Sequence, residues 1–245
     1  MRERPLRRES EILHGKRIRE NAEDIWGWGS PAGMIRANRR AQLYLELTNM
    51  NSGHEVLEIG CGTGLFTEKV ARSGARITAT DLSEDLLDFA RKRNIPNCKI
   101  ERADVHSLNF SDSHFDVVYG SSILHHLDIE IAFKEICRVL KSNGQIVFTE
   151  PNMLNPQIFL ERHISWLRIL TNNTPDETAF YRHLINKELA LHGFKDIKVA
   201  PYDFLHPSVP AILTGIVEKI GFFIEKVPLV REIAGSLIIY GKKQY

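Results

Sequence analysis

The sequence has little cysteine, no surplus of either charge and no long apolar run, and each lack removes a class of protein. Cys61, Cys98 and Cys137 are the only cysteines in 245 residues. They lie far apart, in neither metal-ligand nor disulfide spacing, and imply a reducing, cytosolic setting. Lysine and arginine total 32 against 31 aspartates and glutamates, a balance that argues against a general nucleic-acid binder. The N-terminal arm is locally basic (Arg2, Arg4, Arg7, Arg8, Lys16, Arg17, Arg19), but three glutamates interrupt it, as on a solvated helix face. It has no apolar h-region of a signal peptide, and no apolar stretch is long enough to span a bilayer. Repeats and low-complexity segments are missing too. Apolar residues make up 43% of the chain, enough for one sizeable core.

What is present is a strand that runs into a glycine loop, Val56 to Gly64 (VLEIGCGTG). Gly-x-Gly-x-Gly after an apolar strand lets backbone approach a ligand closely, because glycine turns tightly and presents no side chain. The following helix, Leu65 to Ser73, is expected to aim free N–H groups at that ligand, and Gly74 stops it. Ala75 to Asp81 reads as a second strand closed by a carboxylate, which can accept both hydrogen bonds of a ribose diol.

Strands and helices then alternate. A helix is expected over Ser83 to Arg93 with Ser83 as N-cap. Strands follow at Cys98 to Arg102 and Phe115 to Ser121. A helix over Ile129 to Leu140 leads, through a turn at Ser142-Asn143-Gly144, to a strand at Gln145 to Thr149. Such alternation implies a parallel sheet with right-handed crossovers. Residues up to about Met50 read as helices broken at Ser30-Pro31, the last from Ile35 to Leu47. After Pro151 the alternation lapses. Residues 152 to 183, with Asn155-Pro156, Trp166, Asn172-Asn173, Thr174-Pro175 and Tyr181, read as a substrate-side insertion. A helix at Asn186 to His192 and strands near Ile197 to Phe204 and Ser236 to Gly241 complete the chain.

With these segments in order, the chain resembles class I S-adenosylmethionine-dependent methyltransferases, specifically the small-molecule group. VLEIGCGTG is similar to that family's first motif, TATDLS to its acidic second-strand motif and RADVHSL to its adenine-contacting segment. FDVVYGSSILHHL and EICRVLKSNGQIVFTEPN resemble its fourth- and fifth-strand motifs. The resemblance implies an α/β fold: a Rossmann-like, seven-stranded, mostly parallel sheet with an antiparallel last strand and helices on both faces. A helical N-terminal lid (1–50), a cofactor-binding core (51–151) and a segment carrying a helical C-terminal insertion (152–245) would make one integrated domain.

It also implies S-adenosylmethionine as cofactor. Gly60, Cys61, Gly62 and Gly64 would lie against its methionine portion and Glu58 near its amino end. Asp81 would take the ribose hydroxyls with Leu82 against the adenine, while Asp104 and the Val105 N–H would read the adenine edge. Ser121 and Ser122 would face the cleft. The local alternatives are a helix cap for Asp81 and a turn for Asp104.

A hydroxyl acceptor needs a general base, and His125 and His126 are the candidates. Adjacent residues point apart, so one of them, His125 by preference, is expected to face the substrate. Glu150, Asn152 and Tyr181 are further candidates to hold the acceptor, with His163 and His183 behind them. Trp26, Trp28 and their flanking glycines read as a lid or as plain packing. His206 to Ala234 reads as an apolar helical pair that covers a sheet edge, forms a homodimer contact or meets a membrane or lipid substrate. The reaction implied is methyl transfer to a small-molecule acceptor, with an oxygen acceptor favoured. The rivals are a nicotinamide-dependent oxidoreductase, whose loop would read Gly-x-Gly-x-x-Gly, and a non-catalytic cofactor-binding protein.

Overall fold

The computed structural model describes residues 4–164 and 179–244. Trp166, Asn172-Asn173 and Thr174-Pro175 of the expected insertion lie outside the described residues. One seven-stranded sheet runs in the order β3-β2-β1-β4-β5-β7-β6. β1 (Glu55–Ile59) pairs in parallel with β2 (Arg76–Asp81) on one side and β4 (Phe115–Ser121) on the other. β3 (Cys98–Arg102) and β5 (Leu140–Pro151) extend the parallel set. β7 (Ser236–Lys243) is antiparallel to both β5 and β6 (Phe194–Tyr202), the arrangement anticipated from the motifs.

Period-two alternation along the central strands feeds two cores. Val56, Val117, Tyr119 and Val147 enter one with Tyr44, Phe66 and Val70, from α3 (Pro31–Thr48) and α4 (Leu65–Val70). Leu57, Val118, Ile146 and Phe148 enter the other with Phe133 and Ile136 of α6 (Ile129–Val139) and Ile185 and Leu189 of α8 (Arg182–Leu191). Among the described residues the remaining α-helices are α1 (Arg4–Ile18), α2 (Ala22–Ile25), α5 (Glu84–Lys92), α7 (Pro156–His163), α9 (Ala211–Ile224) and α10 (Pro228–Arg231). Because strand order reverses between β1 and β4, their carboxyl ends open a crevice.

Several local expectations shift. Ser30 does not merely break the arm: its Oγ accepts from Gly33 N at 3.0 Å and Pro31 occupies the first turn, so α3 starts there rather than at Ile35. Ser83 precedes α5 but makes no capping bond. Ser142-Asn143-Gly144 are not a turn ahead of β5 but lie inside it. The partner of β4 jumps from Leu140 to Gln145, and Asn143 takes a φ of 60°. The excess residues are absorbed as a bulge. α8 begins four residues before Asn186, with Tyr181 at its N-cap.

Glu58 departs furthest from its expected place. Instead of reaching the crevice, its carboxylate is buried under the glycine loop, accepting from Thr67 Oγ1 at 2.5 Å and Tyr119 Oη at 2.7 Å. Burial pushes its pKa up to about 7, against the pull of those two donors. The fold therefore favours the neutral acid, and the stabilisation present below the ordinary value of 4.5 is lost as pH rises through about 7. Glu58→Gln should flatten this dependence, removing a swing of about 3 kcal/mol between the two limits. Urea unfolding of both proteins across that pH window measures it, and parallel profiles would contradict the assignment.

Candidate active site

The crevice at the carboxyl ends of β1, β2 and β4 is a cavity of about 1550 Å³. Gly60, Cys61 and Gly62 form its floor, and Gly60, Gly62 and Gly64 hold φ values of 68°, 54° and 80°. A Cβ on Gly60 would come within 2.6 Å of Ile123, and one on Gly62 within 3.0 Å of Trp26. Bare backbone is thus required by packing as well as by dihedral. Gly64, whose Cβ would meet Ala90, opens α4 but does not line the cavity.

The loop's donors are less available than the sequence implies. Cys61 N donates to Thr80 O at 2.9 Å, Gly62 N to Asp81 Oδ2 at 2.9 Å and Gly64 N to Cys61 O at 2.9 Å. Cys61 contributes backbone, and burial raises its thiol pKa well above the ordinary range. Asp81 also accepts from Ser83 N at 2.9 Å through Oδ1. Burial raises its pKa, and the backbone donors of Ser83 and Gly62 pull it back. The carboxylate therefore locks the loop and borders the cavity with Leu82. Next to it, Asp104 accepts from His106 N at 3.0 Å and pairs with His106 Nδ1 at 2.8 Å. The histidine holds its pKa below the carboxylate range. Val105 is buried on the same wall.

Past β4, the strand gives way to a turn in which both His125 and His126 border the cavity, contrary to the expectation that one would turn away. Their rings lie 4.1 Å apart. His125 Nδ1 is 2.6 Å from Glu150 Oε2, while Glu150 Oε1 accepts from Ile123 N at 2.9 Å and Leu124 N at 2.7 Å. A carboxylate held this way fixes the turn and accepts from Nδ1, which leaves the basic lone pair on Nε2. Glu150 is fully buried behind His125 rather than at the cleft edge where a substrate could meet it. His126 pairs with Glu11 of α1 at 3.1 Å.

Other expected substrate contacts lie elsewhere. Asn152 is buried away from the cavity, donating to Glu232 O and Ala234 O at 2.8 Å each. Tyr181 sits outside the cavity at the N-cap position of α8, without a side-chain capping bond, and His163 and His183 are exposed outside the cavity. Ser121 and Ser122 do border it.

The N-terminal helices form the opposite wall, through Glu11 and Ile12 of α1 and both tryptophans. Trp26 lies on Gly62, and Glu23 accepts from Thr63 Oγ1 at 2.6 Å and pairs with Arg93. Trp28 is instead mostly packing, edge-on to Phe66 at 5.3 Å.

One residue went unrecognised in sequence. Arg40 is buried, and Nη1 donates to Ser121 Oγ at 2.6 Å and Ser122 Oγ at 3.1 Å, with its guanidinium over Trp28 at 4.8 Å. Among the described residues no carboxylate lies within 4 Å of it. Its signal was only Arg36, Arg39 and Arg40 on one helix. Arg36 pairs with Asp203 and Arg39 with Glu225, while Arg40 lies behind the two serines that border the cavity.

A sheet of this order with a glycine loop after β1 and a carboxylate after β2 defines the class I methyltransferase fold. Residues 57–148 match the methyltransferase domain family. The chain is 29% identical over 133 residues to a ubiquinone biosynthesis O-methyltransferase of Coxiella burnetii, covering 51% of this chain and 57% of that protein. It is 33% identical over 106 residues to a malonyl-[acyl-carrier protein] O-methyltransferase of Erwinia pyrifoliae, covering 43% and 40%. The chain thus spans less than two thirds of the length of these curated relatives. A crystal structure of a SAM dependent methyltransferase from Archaeoglobus fulgidus superposes with a TM-score of 0.62 at 19% identity, covering 86% of this chain and 94% of that one. Residues 57–148 thus carry a methyltransferase domain, and the fold around them is that of S-adenosylmethionine-dependent methyltransferases.

Proposed function

We propose that this protein transfers a methyl group from S-adenosylmethionine to the hydroxyl of a small molecule. The observation that carries the reading is a single cavity bordered by the bare glycine loop, Asp81 and His125, whose Nδ1 Glu150 holds from behind. The residues present suit the cofactor. Its ribose diol would meet Asp81, and its adenine would meet Leu82, Asp104 and the Val105 N–H. Arg40, buried behind Ser121 and Ser122, would hold those two hydroxyls on the wall that faces the cofactor. When bound, the cofactor supplies an electrophilic methyl group on a sulfonium.

The chain's part is to exclude water, align the acceptor and take its proton. α1 and α2 cover the loop and reduce solvent access, which favours in-line displacement. His125 takes the acceptor's proton at Nε2, with Glu150 holding the ring and stabilising the imidazolium. Glu58 and Asn152 act as supports for the loop and the 232–234 turn. An oxygen acceptor is also what the names of the two curated relatives specify for those proteins.

Incubation with cofactor labelled in the methyl group and fractionated metabolites tests the reading. Label is expected in a methyl ether, and its appearance only in a methyl ester, or only on nitrogen or carbon, would overturn the hydroxyl assignment.

A further inference from the structure

α9 and the turn after it carry an amphipathic pattern turned inside out. On the inner side, Thr214 and Gly221 are buried, with Gly221 against Phe204. Glu225 grips the Arg39 guanidinium there, with contacts of 2.7 and 2.5 Å. The outer side carries Ile212, Ile216, Ile220 and Phe223, spaced as one helical stripe and exposed by 87%, 60%, 52% and 69%. Leu229 of α10 extends the apolar surface at 86% exposure. Soluble folds place such stripes inward, so this one is shaped for another apolar medium.

The charges decide which medium. Lys219 and Lys226 are exposed, whereas Glu218 is half-buried, Glu225 is bound to Arg39, and Glu232 pairs with Arg182 and Arg231. The outward charge of this segment is therefore basic. A second copy docking on the same stripe would bring the lysines of both chains together, since a two-fold contact is self-complementary. No helix among the described residues is long and apolar enough to cross a membrane.

We propose that the outer face of residues 211–233 docks on the surface of an anionic phospholipid bilayer. The apolar stripe enters the acyl boundary while Lys219 and Lys226 meet the headgroups. Docking also bears on the cavity's cover. Arg39 ties α9 to α3, and Ser30 Oγ donates to Pro207 O at 2.8 Å, joining the segment before α9 to the tryptophan loop. The face is separate from the cavity, and the inference stands without the methyl-transfer reading.

Co-sedimentation of the full chain with vesicles tests it, using phosphatidylcholine alone and phosphatidylcholine mixed with phosphatidylglycerol. Partition onto the mixed vesicles is expected, weakening as salt rises. Ile216→Asp with Phe223→Asp should lower it about tenfold or more. Lys219→Glu with Lys226→Glu should lower it by about tenfold and remove most of the salt dependence. All four side chains are exposed, so circular dichroism melts should stay near the parent's. The lysine pair serves as the readout if the aspartate pair unfolds. Absence of binding to either vesicle, equal binding to both, or unchanged binding in the variants would overturn the proposal. So would a lipid-free dimer, seen by light scattering, that the aspartate pair splits while vesicles bind nothing, since the face would then belong to a second copy.

Discussion

Replacing Asp81 with alanine is expected to weaken S-adenosylmethionine binding about a hundredfold, the loss of two hydrogen bonds to a charged acceptor. Asp81 is more than a ribose contact, because Gly62 N and Ser83 N both donate to it. Two effects therefore combine: the diol loses its acceptor, and the glycine floor loses the anchor that holds Gly62 at a positive φ. Asp81→Asn separates them. The amide keeps one acceptor for the backbone and removes the charge, so its affinity should fall between those of the parent and Asp81→Ala. Calorimetric titration with S-adenosylmethionine and S-adenosylhomocysteine provides the check. The two share the ribose, so both dissociation constants should rise in parallel. An unchanged constant in Asp81→Ala would remove the ribose assignment.

His125→Ala should lower kcat by about a hundredfold to ten-thousandfold, the range of a general base, with the cofactor dissociation constant nearly unaltered. The geometry adds a second expectation. Glu150 holds His125 Nδ1 and two backbone donors of the same turn, so Glu150→Gln should also lower kcat by presenting the ring in the wrong tautomer. The measurement is single-turnover transfer to the acceptor identified by labelling. Undiminished turnover in His125→Ala would show that the acceptor needs no base from this pair.

The succession of strands and helices, the glycine loop and the carboxylate of Asp81 were legible in the sequence because each rests on a local pattern: period-two apolar runs, glycine after a strand, an acid ending the next strand; the antiparallel β7 and Asp104 came from the family resemblance. Asp81, Leu82, Asp104, Val105, Ser121 and Ser122 all border the cavity as expected. Glu58, Glu150 and Asn152 were misplaced for one reason. A strand-end position fixes sequence distance from the crevice but not which face the side chain takes, and all three point into protein. For Glu58 the deciding partners are Thr67 and Tyr119, nine and sixty-one residues away. Arg40 was invisible on similar grounds. Its place behind Ser121 and Ser122 becomes visible only once Asp203 and Glu225 engage Arg36 and Arg39, contacts spanning most of the chain. The cover formed by α1 and α2 depends on long-range pairs such as Glu23–Arg93 and Glu11–His126, which no local pattern announces.

The central claim is that the glycine-floored cavity is the pocket of a methyl donor. Calorimetric titration of the protein with S-adenosylmethionine and, separately, with a nicotinamide dinucleotide tests it most directly. The account predicts saturable one-to-one binding of S-adenosylmethionine and no heat beyond dilution from the dinucleotide. Binding of the dinucleotide with none of S-adenosylmethionine would contradict it.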